Sequence, residues 1–472
     1  MKTLIVNPPP AENNMFSYHE ECCIGNTATR KLPYKLLSIA TYLRLKKVPT
    51  DFLDLSSKNF HTGIKILSEK SSSYDYIILP FTPFSYELHN RCIQASKRDN
   101  KVICIPFPPQ ISEIILRKIP DADICIPWDR EITTFNVVTK GPENCDSVVF
   151  RDAGSVINTP QGKPHRLSEI PIPSFDLFYR DYKKNKGSYD HNAWIQTSFG
   201  CPYHCSFCSY RETPYSAKKV SQMVKEIIAL KKIGISSISF LDLDITLDRK
   251  RVLSFCEEII ERNLKIALGC DIRADRVDEE IAEMLGRAGF VSVVVGAESG
   301  SQTILDNINK GLQVSDIIES TRLLNKNGIA CHGSFILGLT GETKETISKS
   351  REIAKKAFYG NVYFHVVHPF VGTPMWDYAR ENQWFNSSSN PFDVMNGRAL
   401  LKVDNFSAEA IGQIAKDINE EMRLYYSRTG QRKLYRSLMS YRAIKNRLQR
   451  SELSYIPSLI RKGTRILLNR EI

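Results

Sequence analysis

A chain of 472 residues exceeds what one ordinary core holds, so roughly two to four domains are expected. Hydrophobic residues make up 42% and charged residues 25%, which fits a globular protein and excludes a disordered or fibrous one. The net charge is +12, yet residues 430–472 hold eleven Lys/Arg against two Asp/Glu, so the tail carries +9 and the first 429 residues only +3; a basic surface as a whole is excluded.

No apolar run approaches the ~18–20 residues that span a bilayer. The start, Met1-Lys2-Thr3-Leu4-Ile5-Val6-Asn7, has one basic residue and too short an apolar stretch for a secretory leader, and Pro8-Pro9-Pro10 follows at once. It reads as a first β-strand of a cytoplasmic protein. The twelve cysteines are mostly single, as at Cys92, Cys104, Cys125, Cys256, Cys270 and Cys331, inside apolar runs where Cys acts as a small hydrophobe. They are too sparse for a secreted disulfide scaffold and suit a reducing compartment. Cys22-Cys23 matches no metal or redox spacing and reads as structural or incidental.

Residues 1–150 alternate strand and helix patterns. Strand candidates are Thr3–Asn7, Thr50–Leu55, Tyr74–Leu79, Lys101–Ile105 and Cys125–Pro127, and Leu36–Leu45 has helical spacing. This alternation predicts a doubly wound, Rossmann-like parallel sheet, whose ligands bind outside the carboxyl ends of the strands. Residues 151–190 carry glycines and prolines without period and read as a linker, with Pro171–Asp176 an extended segment laid across a surface.

The alternation returns, more strongly, over residues 191–380. Strands are predicted at Trp194–Ser198, Ser237–Leu241, Lys265–Cys270, Val291–Val295, Cys331–Leu337 and Val362–Val367. Helices are predicted at Ala217–Lys232, Asp248–Arg262, Asp278–Ala288, Ser315–Asn327 and Glu345–Phe358. Gly234, Gly289 and Gly328 follow three of them as C-terminal caps do. Six βα units predict a partial (β/α)6 barrel of the TIM type. Residues 381–472 read as a helical C-terminal region. Ile411, Ile414, Ile418 and Met422 share one face of a helix, and Leu434, Leu438, Tyr441 and Leu448 one face of the next.

The segment Gly200-Cys201-Pro202-Tyr203-His204-Cys205-Ser206-Phe207-Cys208 has the spacing C-x3-C-x2-C and follows the first barrel strand. In α/β barrels the carboxyl end of the strands carries the chemistry. Three thiolates can hold three irons of a cubane, leaving the fourth open to a small molecule. Alternatively a zinc ion takes the three Cys with His204 or a remote Cys as fourth ligand, although structural zinc usually pairs two short knuckles and no second C-x2-C is present.

The motif resembles the signature of the radical S-adenosylmethionine (SAM) enzymes, over about residues 190–380. The resemblance implies a [4Fe–4S] cluster on Cys201, Cys205 and Cys208, with the methionine end of SAM on the open iron. Reductive cleavage of the S–C5′ bond then yields a 5′-deoxyadenosyl radical. Phe207 would pack on the adenine. Phe240-Leu241-Asp242-Leu243-Asp244 looks like the acidic segment that contacts the methionine amino group, and Arg273 would meet the methionine carboxylate. Gly296-Ala297-Glu298-Ser299-Gly300 resembles the family's ribose- or amino-binding element, with Glu298 and Ser299 its polar residues. The stretch from Gly333 through Ile336 and Gly338 to Thr343 looks like the adenine support. Lys310-Gly311 and Phe370–Pro374 also match family positions.

The order of parts is similar to the subgroup with an N-terminal cobalamin-binding domain. That implies cobalamin as a further cofactor and methyl transfer from SAM to an unactivated carbon of a small-molecule or lipid precursor. Other members perform cyclisation, oxidation or rearrangement without methyl transfer. Two features depart from the subgroup: no Asp-x-His-x-x-Gly is present, and Pro106-Phe107-Pro108-Pro109 replaces the usual Gly-Gly segment. Prolines restrict backbone approach where glycines would permit it. The resemblance also implies an external electron donor such as a flavodoxin or ferredoxin. The basic tail can lie peripherally on an anionic membrane, and more simply caps the barrel with a solvated face. A zinc-stabilised nucleic-acid binder is the distant alternative; Tyr435, Tyr441 and Tyr455 are thin as stacking platforms, and no nucleic-acid partner is expected.

Overall fold

The computed structural model describes residues 1–10, 32–128, 130–177, 192–358 and 361–428. The first unit is a seven-stranded sheet. Its strands are β1 (Thr3–Asn7), β2 (Thr50–Asp54), β3 (Tyr76–Phe81), β4 (Lys101–Pro106), β5 (Ile124–Cys125), β6 (Val149–Asp152) and β7 (Ser155–Asn158), in the order β2-β1-β3-β4-β5-β6-β7. Strands β1 to β5 are parallel, as their buried Val/Ile/Leu runs require. Helices cover both faces, so the doubly wound expectation holds. Strands β6 and β7 extend the sheet as an antiparallel hairpin. Residues 151–158, expected in the linker, therefore belong to this sheet. Their glycine and polar content marks an edge hairpin, which single-strand periodicity does not reveal.

The second unit holds six parallel strands, β8 (Asn192–Ile195), β11 (Ser237–Phe240), β12 (Ala267–Ile272), β13 (Phe290–Glu298), β14 (Ala330–Leu337) and β15 (Val362–Val366). They neighbour one another in sequence order, which is the partial barrel expected. Helices between them end where predicted, and Gly234, Gly289 and Gly328 take positive φ after three of them. The predicted strand Trp194–Ser198 divides in two. Its first half is β8; from Ser198 the chain turns into β9 (Ser198–Cys201), paired antiparallel with β10 (Thr213–Ala217).

Along each barrel strand the residues alternate. Val293, Val295, Phe335 and Phe364 point outward and are buried under the helices. Val294, on the other face, is 37% exposed, and Tyr363 is 38% exposed. Mid-strand apolar residues that reach solvent mark an open lumen. The helix Ala408–Arg428 closes the outer edge, burying Ile411, Ile418 and Met422. Its Asn419 bonds both the N–H and the C=O of Phe364 at 2.9 Å, which satisfies part of the edge strand. The region before it is not wholly helical: Lys402–Val403 and Phe406–Ser407 pair as two short strands. The helix expected over residues 434–448, the basic tail and Cys22-Cys23 lie outside the described residues.

The two units share cores. Leu32, Tyr34 and Leu37 join the barrel's cluster, and so does Phe175 of the linker. Phe175 thus anchors that segment in the core, while Asp176 stays exposed. In return Phe392 and Met395, from beyond the barrel, sit in the core of the first sheet. Phe392 lies against Phe81 and Tyr86, covering the carboxyl end of β3. A buried polar lock joins the units: Tyr34 donates to Glu226 at 2.6 Å, and Lys218 pairs with Glu226 at 2.9 Å. Each of these three side chains is almost fully buried, so each depends on the others for its partner.

Candidate functional site

The β9–β10 hairpin carries the three clustered cysteines at the carboxyl end of the barrel. Gly200 starts the turn at φ +91, and a Cβ there would lie 2.0 Å from the carbonyl of Pro214, so only glycine fits. Thr213 Oγ1 accepts the Cys201 N–H at 2.9 Å and donates to the Tyr210 carbonyl. Ser206 ties the loop to the barrel through its own backbone, donating to Ile308 and accepting from Met375. Cys205 is buried, and Cys201 and Cys208 are partly exposed. Phe207 packs partly buried against the barrel core. Burial pushes the Cys208 thiol up to about 12 and raises Cys201, and each thiol feels its neighbours. Two cations offset this: Lys310 lowers Cys208 and Arg273 lowers Cys201. Three thiols on one loop with flanking cations suit an anionic iron–sulfur centre, whose iron replaces the thiol protons.

His204, the candidate zinc ligand, points to solvent and pairs with Glu212 at 2.9 Å. Among the described residues no three His, Cys, Asp or Glu side chains are arranged around a single metal position.

The acidic segment after β11 divides into two roles. Both oxygens of Asp242 are taken: Oδ1 accepts the Thr197 N–H at 2.6 Å, and Oδ2 accepts the hydroxyls of Thr197 and Ser198 at 2.5 and 2.6 Å. Arg251 stands 3.7 Å away, and Asp242 is 1% exposed. Asp242 thus holds the strand that leads into the cysteines. Asp244 is different. Thr246 satisfies its Oδ1, while Oδ2 is buried with no hydrogen-bond partner among the described residues. Burial raises its pKa. An orphaned carboxylate oxygen beside the cysteine loop suits an ammonium.

Arg273 is buried and stacks on the Tyr203 ring at 3.6 Å. Its Nε donates to Asp275 at 3.0 Å, and its Nη2 donates to the carbonyl of Lys310 at 2.8 Å. It braces the cysteine loop against the turn after Asn309. Glu298 occupies a bulge at φ +58, a backbone state that L side chains rarely adopt. Its Oε1 accepts from Lys310 Nζ at 2.7 Å in a buried pair. A Cβ on Gly296 would lie 2.9 Å from that Oε1, so glycine leaves room for the pair. Ser299 is fully buried and caps locally, its Oγ accepting the Ser301 N–H and lying 3.2 Å from the Ser350 hydroxyl. Ile336 lines the barrel on β14, partly buried. Gly338 turns the chain at φ +82, its N–H donating to the buried Glu342. The site thus gathers the three cysteines, Asp244, Arg273 and Glu298 around the mouth of the lumen. Asp242 and Ser299 are spent on holding the backbone.

Sequence reasoning gave Lys310 no chemical role, and it missed Tyr203 altogether. The chain returns after the short helix Gln302–Asn307 and so brings Lys310 back onto Glu298, twelve positions away.

A cavity of about 280 Å³ opens between the units, behind the cysteine hairpin. Trp128 and Phe199 form apolar walls, with rings 6.0 Å apart, and Lys35, Arg130, Gln161 and Gln196 bring polar groups. The two rings meet edge to face, so the cavity is an apolar pocket with an amide- and cation-bearing rim at the outlet of the first sheet. Beside it Gln110 donates to the Ser209 carbonyl at 2.7 Å, so the β4 turn touches the cysteine loop directly.

Residues 195–354 match the model of the radical SAM superfamily. An uncharacterized methyltransferase of Pyrococcus horikoshii is 30% identical over 329 residues, covering 66% of this chain and 69% of that protein. The chain belongs to the radical SAM superfamily. It is a radical SAM enzyme, and a [4Fe–4S] cluster and SAM are the cofactors of that chemistry. An anaerobic magnesium-protoporphyrin IX monomethyl ester cyclase of Rubrivivax gelatinosus is 27% identical over 51% of this chain, which spans 46% of that protein's length. The fold is similar to the radical SAM methyltransferase TsrM of Kitasatospora setae, solved with cobalamin and a [4Fe–4S] cluster. The TM-score is 0.65 at 18% identity, covering 81% of this chain and 79% of that one. Among the described residues no helix is long and apolar enough to cross a membrane.

Proposed function

We propose that this chain is a cobalamin-dependent radical SAM methyltransferase acting on an unactivated carbon of a small-molecule or lipid precursor. The observation that carries the reading is the joint placement of the cysteine hairpin, the open lumen and the interunit cavity at one end of the barrel. Cys201, Cys205 and Cys208 would hold a [4Fe–4S] cluster, which would supply the electron for reductive cleavage of SAM. Residues of the interunit cavity, Trp128, Gln161 and Phe199 among them, would hold cobalamin, which would carry the methyl group. The protein's own part is positional. Asp244 Oδ2 receives the methionine ammonium. Arg273 aligns the Tyr203 side of the loop, and its cationic head stands near the methionine carboxylate. Glu298, held by Lys310, faces the ribose, and Phe207 and Ile336 flank the adenine. A flavodoxin or ferredoxin delivers the electron.

A second reading, a cyclase, oxidase or rearrangement enzyme without cobalamin, is favoured by a specific feature. Prolines 106, 108 and 109 and the Gln110–Ser209 bond bring the β4 turn onto the cysteine loop, and Phe392 covers the end of β3. Both lie at the outlet of the sheet where ligands of doubly wound folds bind. Anaerobic reconstitution with iron, sulfide and hydroxocobalamin separates the two. Retained cobalamin after gel filtration, with a methyl mass shift in product, supports the first. Cluster and 5′-deoxyadenosine without retained cobalamin support the second.

A further inference from the structure

The lumen face of the barrel is not a neutral wall. Register places Asp271 of β12 beside Val294 of β13, and Val294 beside His332 of β14. One layer nearer the mouth, Ser334 of β14 lies beside Tyr363 of β15, and one layer beyond that Ile336 lies beside His365. Asp271, Val294 and Tyr363 are exposed although every one lies mid-barrel, so they border open space within the fold. The Tyr363 and His365 rings stack at 6.2 Å, forming a flat wall.

Asp271 has no cation facing it among the described residues. Arg273 is committed to Asp275, Lys310 to Glu298, and Arg251 to Thr197 and Asp242. Its near charges are instead Asp244 and Asp242, both acidic. The carboxyl touches open space on the lumen side but has protein around it at longer range. That surrounding and the two acids push it up to about 7. Such a group is short of one positive charge. A structural Asp finds its partner within the fold, as Asp242 and Asp275 do; this one faces the cavity.

Resting on the radical SAM reading of the site above, we infer that the lumen binds a substrate carrying an amino or other cationic group on an apolar, flat frame. Asp271 receives the cation, and Val294, Tyr363 and His365 receive the frame. Neutral His365 adds no competing charge: burial holds its pKa below the usual imidazole value, only partly offset by Glu298. A charge-assisted bond in such a site favours the amine over a neutral isostere by about tenfold or more.

The test uses full-length, cluster-reconstituted protein saturated with SAM. The probes are 2-phenylethylamine and 2-phenylethanol, equal in shape and different in charge, with binding read by equilibrium dialysis. The parent should hold the amine about tenfold more tightly than the alcohol. Asp271→Asn should erase that preference, and Asp271→Glu should keep part of it. Folding is checked by melting temperature and by cluster absorbance in the same samples. Equal affinity for both probes in the parent overturns the inference, as does a preference that survives Asp271→Asn. Loss of SAM affinity in Asp271→Asn also overturns it, because Asp271 would then belong to the cofactor. Parent protein that assembles no cluster and forms no 5′-deoxyadenosine sinks the underlying reading instead, so the two failures are distinct.

Discussion

Asp242 and Asp244 lie two residues apart and look alike in sequence, yet their environments demand opposite outcomes on mutation. Asp242→Ala removes the acceptor of three hydrogen bonds and leaves Arg251, itself buried, without its carboxylate. Three bonds to a charged acceptor at ~1.5–3 kcal/mol each set an upper bound. They share one carboxylate and do not add, so the loss of a buried ionic partner, about 3–5 kcal/mol, is the better figure. Asp242→Asn keeps the shape and one carbonyl acceptor, and should cost about 1–2 kcal/mol. Asp244→Asn removes a carboxylate with one unpartnered oxygen, so its stability cost should be small. Its SAM affinity should fall by about tenfold. Urea midpoints at unchanged slope measure the first effect. Isothermal titration with SAM on folded, reconstituted protein measures the second. If Asp242→Asn kept full stability and lost SAM binding, the division of roles argued from these contacts would be wrong.

Two further outcomes follow from the same structure. Burial pushes Glu342 up to about 7 from 4.5, against the lowering effect of the Gly338 and Leu339 N–H groups. A carboxyl whose folded pKa is raised lends stability that is present at low pH and lost as pH climbs from about 4.5 through 7. The effect is worth about 3 kcal/mol at most, and Glu342→Gln should flatten that part of a urea-midpoint profile between pH 5 and 8. Lys310→Met leaves Glu298 buried and unpaired and should cost about 3–5 kcal/mol, while adding Glu298→Gln should recover part of it. A double-mutant cycle in urea reads the coupling, and additive costs would mean the pair is not one unit.

Much of this architecture was legible from periodicity. The barrel helices and five of the six barrel strands fall within a few residues of their expected places, because apolar alternation and glycine caps mark parallel βα units strongly. The β6–β7 hairpin was not legible, since Ser155–Asn158 is a short, largely exposed edge with only Val156 packed against the core. The division of Trp194–Ser198 was hidden for another reason. Backbone turns at Gly200 are set by the Pro214 carbonyl, which sequence does not bring near. The cysteine motif could be read by spacing alone, because its chemistry is local. Asp242 could not be told from Asp244, nor Asp271 noticed, because pairing across strands decides which carboxylates are satisfied. Lys310 and the Tyr34–Lys218–Glu226 lock likewise depend on contacts between distant segments.

The most direct test is cluster assembly and SAM cleavage in one preparation. Parent protein and a Cys201→Ala/Cys205→Ala/Cys208→Ala variant are purified without oxygen, reconstituted with iron and sulfide, and given SAM and a reductant. Iron content, absorbance and 5′-deoxyadenosine are then measured. The parent should bind a four-iron cluster and form 5′-deoxyadenosine, and the folded variant should do neither. Stoichiometric zinc in the parent, or 5′-deoxyadenosine from the variant, would contradict the account.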